Sequence, residues 1–475
     1  MISSEIGPFA KTGGLADVVE ALAKTLERRG QELCLVMPAY RSVLNGGFAL
    51  EETENKLSVR VSDRLVEATV LKGRLGNGIV VYFIRAGRYF DRDGLYSTPA
   101  KDYSDNAERF VFFSRAALEV LRGQPTDILH CHDWQAALAI FFLRAQERLY
   151  PELRSAKTVF TIHNLGFQGL FPETDWHLLN LERHWFAPPH LEFHGKINFL
   201  KGGLIFADKI TTVSPTYAQE IMTAEQGFGL EGVLRERAPD VTGILNGVDY
   251  DLWNPESDRF LPAHYNVRDL SGKRECKRQL RRCVGLPDIS GAPVIGIVSR
   301  LTAQKGFDLV EKALAPLLGR EIQLVVLGTG ERRYEKFFTN LSVRYPQKAA
   351  ARIGFDEPLA HQIEAGSDFF LMPSLYEPCG LSQMYSLKYG TIPIVRAVGG
   401  LKDTVEDYDP AKDAGTGIVF APYEAAALEN ALNRALQVYA DKSGFAALRE
   451  RAMSKDYSWD RSAATYSSLY QRAML

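Results

Sequence analysis

PVIGIVSRLTAQKGFDLV, residues 293 to 310, is the stretch on which the fold turns. PVIGIVS is a short apolar strand. A polar loop with Arg300 and Lys305 follows, and a helix begins near Gly306. Strand, polar loop and helix in direct succession form the repeating step of parallel α/β architecture. The step recurs further along the chain, where IQLVVLG, AARIGF, DFFLMPS, TIPIVRA and GTGIVFA read as strands with helices between most of them. It also recurs earlier. ADVVEALAKTLERRG reads as a helix, ELCLVMP and TDILHCH as strands, WQAALAIFFLRAQERL as a helix, and KTVFTIHN and DKITTVS as strands. EATVLKGRLGNGIVVYFI reads as a hairpin, because Gly76-Asn77-Gly78 separates two alternating runs.

The two series are separated by GILNGVDYDLWNPESDRFLPAHYNVRDLSGKRE. This segment is rich in Gly, Asn, Asp and Pro, has no long periodicity, and reads as a linker. A chain of 475 residues is long for one domain and suits two or three. The expected fold class is therefore α/β, with two doubly wound domains at 1–242 and 243–458. The formal net charge of -2 gives no global basicity that would point to nucleic acid or an acidic membrane surface. No apolar run is long enough to span a bilayer, and MISSEIGPFAKTGG lacks the basic start and apolar core of a signal peptide. The five cysteines are an odd number, scattered, with no C-x-x-C. A disulfide framework and a structural zinc site are disfavoured, and a reducing, cytoplasmic compartment is expected.

In doubly wound sheets, ligands bind beyond the carboxyl ends of the strands. The chemistry is therefore sought in strand-to-helix loops. In KTGGLADVV, Gly13 and Gly14 permit close backbone approach, the next helix turns free N–H groups to the loop, and Lys11 adds a cation. That suits a phosphate, although alone it reads as a glycine turn. Arg300 and Lys305 suit a diphosphate, or are two surface charges; no Walker motif is present. In YEPCGLSQMY, Pro378 suits the first turn of a helix, so the amides of Cys379, Gly380 and Leu381 are expected to face an anion. Glu377 would repel that anion and suits hydroxyl groups instead, or merely balances the helix dipole. A phosphate on amides beside a carboxylate for hydroxyls describes a sugar nucleotide. HCHDW and TIHNLGFQG follow strands. There Asp133, Trp134, His163 and Asn164 suit carbohydrate, while His130 and His132 at i, i+2 lack the further ligands a metal needs. Gly399 and Gly400 form another close-approach loop.

Taken together and in order, KTGGLADVV, HCHDWQAAL, TIHNLGFQG, LNGVDYDLWNP, SRLTAQKG, YEPCGLSQMYSLKYGTIPIVR and GGLKDTV resemble the bacterial-type glycogen synthases, and similarly the plant starch synthases, over practically the whole chain. The resemblance implies a GT-B fold, two Rossmann-like domains facing a deep cleft. The helix in YSWDRSAATYSSLYQ, with 459–475 as its bounds, would cross back to the first domain. It implies transfer of glucose from ADP-glucose to the nonreducing end of an α-1,4-glucan such as glycogen, with retention, without cofactor or metal, nucleic acid or membrane. The first domain would be the acceptor side and the second the donor side. By the same resemblance, Lys11 and Gly14 match the donor glycine loop. Arg300 and Lys305 match the diphosphate cations, Glu377 the carboxylate on the donor glucose, and Cys379 to Leu381 the amides facing its phosphate. His163 matches the histidine beside the donor sugar, and Asp17, Asp133 and Asn246 match polar residues lining the site.

Two departures stand out. Many glycosyltransferases of this fold carry a second acid eight residues after the first, where this chain has Tyr385. The family also carries a short apolar strand before S-S-E, of which only Met1 and Ile2 remain, so a start upstream of Met1 is expected. Rival readings are a UDP-glucose or starch-type synthase, a pyridoxal-phosphate-dependent phosphorylase, a sugar-nucleotide epimerase, and an inactive glucan-binding protein. The last would be expected to lose Lys305 or Glu377, and both are present.

Overall fold

Apolar strands with little alternation have to be covered on both faces, and most strands here are of that kind. A computed structural model describes residues 1–76, 78–98 and 101–475, without the side chains of 315–317. The chain forms two units: 1–213 with 218–247 and 459–475, and 214–217 with 248–458.

In the first unit, β1 (Cys34–Pro38), β2 (Glu51–Val61), β3 (Arg64–Leu75) and β4 (Ile79–Arg85) pair in the order β1-β4-β3-β2. β3 and β4 form the expected hairpin, with Leu75 opposite Ile79. Its turn residue Asn77 lies outside the described residues. β2 is the edge strand, and its Glu51, Glu52, Lys56 and Arg60 are charges that discourage edge pairing. A second run joins β5 (Ile128–His132) and β6 (Lys157–Ile162). Three short strands, β7 (Leu170–Pro172), β8 (Glu192–Phe193) and β9 (Lys196–Asn198), form a small separate sheet. β10 (Lys209–Thr212) and β11 (Val241–Gly243) then continue the second run in the order β11-β10-β6-β5.

Ile2 joins the two runs. It bridges Val36 of β1 and Cys131 of β5 in parallel, donating to His130 O at 2.8 Å and accepting from His132 N at 3.1 Å. It is fully buried. The helix Trp459–Met474 packs on the same unit, with Trp459, Ala463, Tyr466, Tyr470 and Ala473 as its buried stripe at helical spacing. Gly247, ahead of it, leaves no room for a side chain: an added Cβ would lie 2.6 Å from Trp459 backbone.

The second unit holds six parallel strands: β12 (Val294–Val298), β13 (Gln323–Gly328), β14 (Ala349–Ile353), β15 (Phe369–Met372), β16 (Ile392–Arg396) and β17 (Ile418–Phe420). Their order is β14-β13-β12-β15-β16-β17. Counted from β12, that is 3-2-1-4-5-6, the doubly wound order with its switch point between β12 and β15. The period-2 pleat sends Ile295, Ile297, Leu324 and Val326 to one core, with Phe307 and Leu314 from the helix Phe307–Leu317. It sends Val294, Val325, Leu327 and Phe370 to the other, with Leu280 of Ser271–Cys283 and Ile363 of Glu357–Gly366. Among the described residues, no helix is long and apolar enough to cross a membrane.

Candidate active site

The loops after β12 and β15 leave the sheet at the switch point, and they meet there. Gly306 takes a left-handed φ of 75°, and a Cβ on it would lie 2.0 Å from Pro373 O, so only glycine lets the two loops pack this closely. Leu375 N donates to Gln304 O at 2.8 Å. The result is an ion pair from Lys305 Nζ to Glu377 Oε2 at 2.6 Å, with side chains 18% and 6% exposed. Ser374 Oγ donates to the same carboxylate oxygen at 2.9 Å. Glu377 Oε1 has no protein partner among the described residues and remains an acceptor. Arg300 is exposed at the head of the first loop.

The opening of the helix after Glu377 differs from the sequence expectation. Helix Ser382–Lys388 begins four residues beyond Pro378, which therefore lies outside its first turn. Gly380, at φ 73°, breaks the path, and the buried Gln383 donates to Cys379 O and Gly380 O at 3.0 and 3.1 Å. Cys379, Gly380 and Leu381 form a turn, not a helix end. Among the described residues, the amides of Gly380 and Leu381 donate to no protein acceptor. Gly399 and Gly400 do permit a close approach, but to this turn. A Cβ on Gly399 would lie 1.9 Å from Glu377 O, and one on Gly400 2.1 Å from Cys379 O. Their part is to back the turn that carries Glu377. Tyr385 stacks on Trp253 at 4.0 Å, with planes 4° apart.

Sequence reading missed Phe355. It lies two residues past the carboxyl end of β14 and is 84% exposed, at the same strand edge as the two loops. A phenylalanine at the end of an apolar strand reads as core; only the geometry shows its ring standing in solvent.

In the first unit, Gly14 opens the helix Gly14–Arg28 behind an extended Gly13, with no side-chain cap on the first turn. Lys11 Nζ pairs with Asp17 Oδ1 at 2.7 Å in an exposed contact, a weak pairing that an anion can displace. The loop is held from beneath by buried Glu5, whose carboxylate accepts from Thr12 N at 2.5 Å, Thr12 Oγ1 at 2.6 Å and Tyr96 OH at 2.7 Å. Asn246, buried after β11, has an Oδ1 without a partner among the described residues.

Asp133 leaves β5 with φ 55°, a strained conformation for a non-glycine residue. Its Oδ1 accepts from His163 N at 2.7 Å, so it tethers the loop after β6. Burial pushes its carboxyl up to about 7, against the pull of the His163 and Asn164 amides. Trp134 is partly buried. Its ring packs with Phe110 at 4.9 Å and Phe171 at 5.7 Å, and a Cβ on Gly169 would touch three of its atoms. Asn164 Oδ1 accepts from Gly166 N at 2.9 Å and shapes its own turn. His163 is partly exposed, and burial pushes its imidazole down to about 3. Among the described residues, no three His, Cys, Asp or Glu side chains gather to hold a metal.

Known proteins match this arrangement from end to end. Residues 1–236 match the starch synthase catalytic domain and residues 287–451 match the glycosyl transferases group 1. The glycogen synthase of Koribacter versatilis is 48% identical over 99% of this chain and 97% of its own. That of Geobacillus thermodenitrificans is 47% identical over 99% and 96%.

The chain belongs to the glycogen synthase family.

It is a glycosyltransferase of the GT-B class that elongates a glucan. The catalytic domain of starch synthase IV from Arabidopsis thaliana, solved with ADP and acarbose, superposes with a TM-score of 0.92 at 36% identity over 100% of this chain and 98% of that one. Sucrose-phosphate synthase from Thermosynechococcus elongatus, at 19% identity and a TM-score of 0.62, shares the fold alone.

Proposed function

We propose that the chain transfers glucose from ADP-glucose to the nonreducing end of an α-1,4-glucan, with retention, and so elongates glycogen. The observation that carries this is the Lys305–Glu377 pair, at 2.6 Å, on two loops that converge at the switch point of a 3-2-1-4-5-6 sheet. A nucleotide sugar needs a cation for its diphosphate next to an acceptor for its sugar hydroxyls, and the pair supplies both in one contact.

Arg300 and Lys305 hold the diphosphate, with the amides of Cys379, Gly380 and Leu381. Negative charge grows on the phosphate as the glycosidic C–O bond breaks, so these groups stabilise the transition state more than the ground state. Glu377 Oε1 accepts from the glucose hydroxyls. The acceptor hydroxyl attacks the face the diphosphate leaves and gives its proton to the departing phosphate. No carboxylate nucleophile is required. Phe355 offers an exposed ring at the same strand edge, suited to stack on the adenine. Gly399 and Gly400 act behind Glu377. Lys11, Gly14, Asp17 and Asn246 are assigned to the donor, His163 to its sugar, and Asn164 to the glucan. Asp133 acts by placing His163, and Trp134 by backing the same loop. On this reading residues 1–242 with 459–475 carry the acceptor and 243–458 the donor. Five free cysteines suit a reducing compartment, and we place the reaction in the cytoplasm.

The test is a donor comparison with purified protein and glycogen primer. ADP-glucose should give the higher kcat/KM. A higher value for UDP-glucose overturns the donor assignment.

A further inference from the structure

His132 is fully buried at the end of β5, and its two ring nitrogens have unequal surroundings. Nδ1 lies 3.1 Å from His163 Nε2. Nε2 is buried and, among the described residues, has no partner. The neighbouring ring cannot serve it. His130 lies beside His132, with ring centroids 4.1 Å apart and planes tilted by 33°, but its Nδ1 is taken by Tyr470 OH at 2.7 Å and its Nε2 by Thr161 Oγ1 at 2.6 Å. Burial holds both His130 and His132 well below the ordinary imidazole range, so each is a neutral ring with one proton.

One proton therefore lies in the contact between His132 Nδ1 and His163 Nε2, and it belongs to one side or the other. If His163 holds it, the proton of His132 must sit on Nε2, a buried N–H with no acceptor. If His132 holds it, the unpaired atom is only a lone pair. Orphaned buried N–H groups are the rarer and costlier outcome. We propose that His132 is a positioning residue that donates from Nδ1 to His163 Nε2, and so locks His163 as the Nδ1–H tautomer. His163, a partly exposed residue, then presents a neutral N–H donor. The Asp133 carboxylate on the His163 backbone amide sets the position of that ring, and His132 sets its proton. A donor of this kind suits a sugar oxygen and could not act as a base from the same atom. The inference rests on the reading that His163 faces the donor sugar, but the tautomer can be measured apart from it.

The test is the nitrogen chemical shifts of histidine-labelled full-length enzyme, with His163 assigned by the loss of its signals in His163→Gln. Wild type should show a protonated Nδ1 and a bare Nε2 at His163. His132→Leu should abolish that preference and lower kcat about 10–100-fold, by analogy with the loss when the outer-shell partner of a metal-bound histidine is removed. His132→Asn keeps an N–H near the Nδ1 position and should restore both the tautomer and most of kcat. A wild-type His163 protonated on Nε2 overturns the proposal, as does an unchanged tautomer in His132→Leu. A His163→Gln enzyme with wild-type kcat, alongside the expected tautomer, would instead overturn the role given to His163 and leave the proton assignment standing.

Discussion

Lys305→Ala removes the cation from a carboxylate that is 6% exposed and leaves it with the Ser374 hydroxyl alone. Two effects follow, and they separate. For catalysis, losing one preorganised charge-stabilising contact costs about 3–4 kcal/mol, or ~10²–10³ in kcat. For stability, a buried group stripped of its partner costs about 1–3 kcal/mol. The Ser374 bond and the partial exposure of Lys305 argue for the lower half of that range. Adding Glu377→Gln to Lys305→Ala takes away the stranded charge, so the double variant should be more stable than Lys305→Ala and no more active. The assay is the initial rate of glucose transfer from ADP-glucose to glycogen, with urea unfolding of each variant in parallel. Wild-type kcat in Lys305→Ala would refute the assignment of this pair to the reacting phosphate. A double variant less stable than the single one would refute the compensation of Glu377 by Lys305.

Phe355→Ala should raise the KM for ADP-glucose with little change in the KM for glycogen; aromatic–base stacking of about 1–3 kcal/mol corresponds to ~5–150-fold. Gly399→Ala forces a Cβ to within 1.9 Å of Glu377 O, so kcat should drop while the far-UV spectrum stays native. Asp133 titrates near 7 in the folded chain against an ordinary 3.8, so the folded state holds the extra proton between those values. Its contribution to stability is full below about 4 and is lost as pH rises to about 7, at up to ~1.4 kcal/mol per unit. Asp133→Asn should therefore gain stability relative to wild type as the pH of thermal melts is raised from 5 to 8. Prior incubation with EDTA should leave the rate of glucose transfer unchanged, checked against an untreated control.

The loops that carry Arg300, Lys305 and Glu377 were legible because each sits between an apolar strand and a helical run, and that local order is written in the chain. Their convergence was legible only in part. It depends on strand order, which periodicity does not encode, and on Gly306 lying against Pro373. Pro378 misled because proline favours a first helical turn, but the left-handed Gly380 delays the helix to Ser382. Trp134 was legible as an aromatic beside polar residues, but its packing on Phe110 and Phe171 was not, because those rings come from elements distant in sequence. Glu5 was passed over, and His132 was weighed only as a metal ligand, for a similar reason. Each acts on a backbone amide or a ring nitrogen of a residue distant in sequence, and no spacing rule links them.

The helix Trp459–Met474 gives this enzyme an unusual order of assembly. Tyr466 and Tyr470 fill the first unit, and Tyr470 OH reaches His130 inside it. A ribosome must therefore make all of Val248–Ser458 before the pieces that complete the first unit exist. At about 5–20 residues per second, that is a wait of roughly 10–45 s. Throughout it, the groove meant for this helix is open to whatever apolar segment is nearest, and the nascent second unit is the nearest of all. Chaperone dependence should accordingly peak after the first unit has emerged and fall once Tyr470 leaves the exit tunnel.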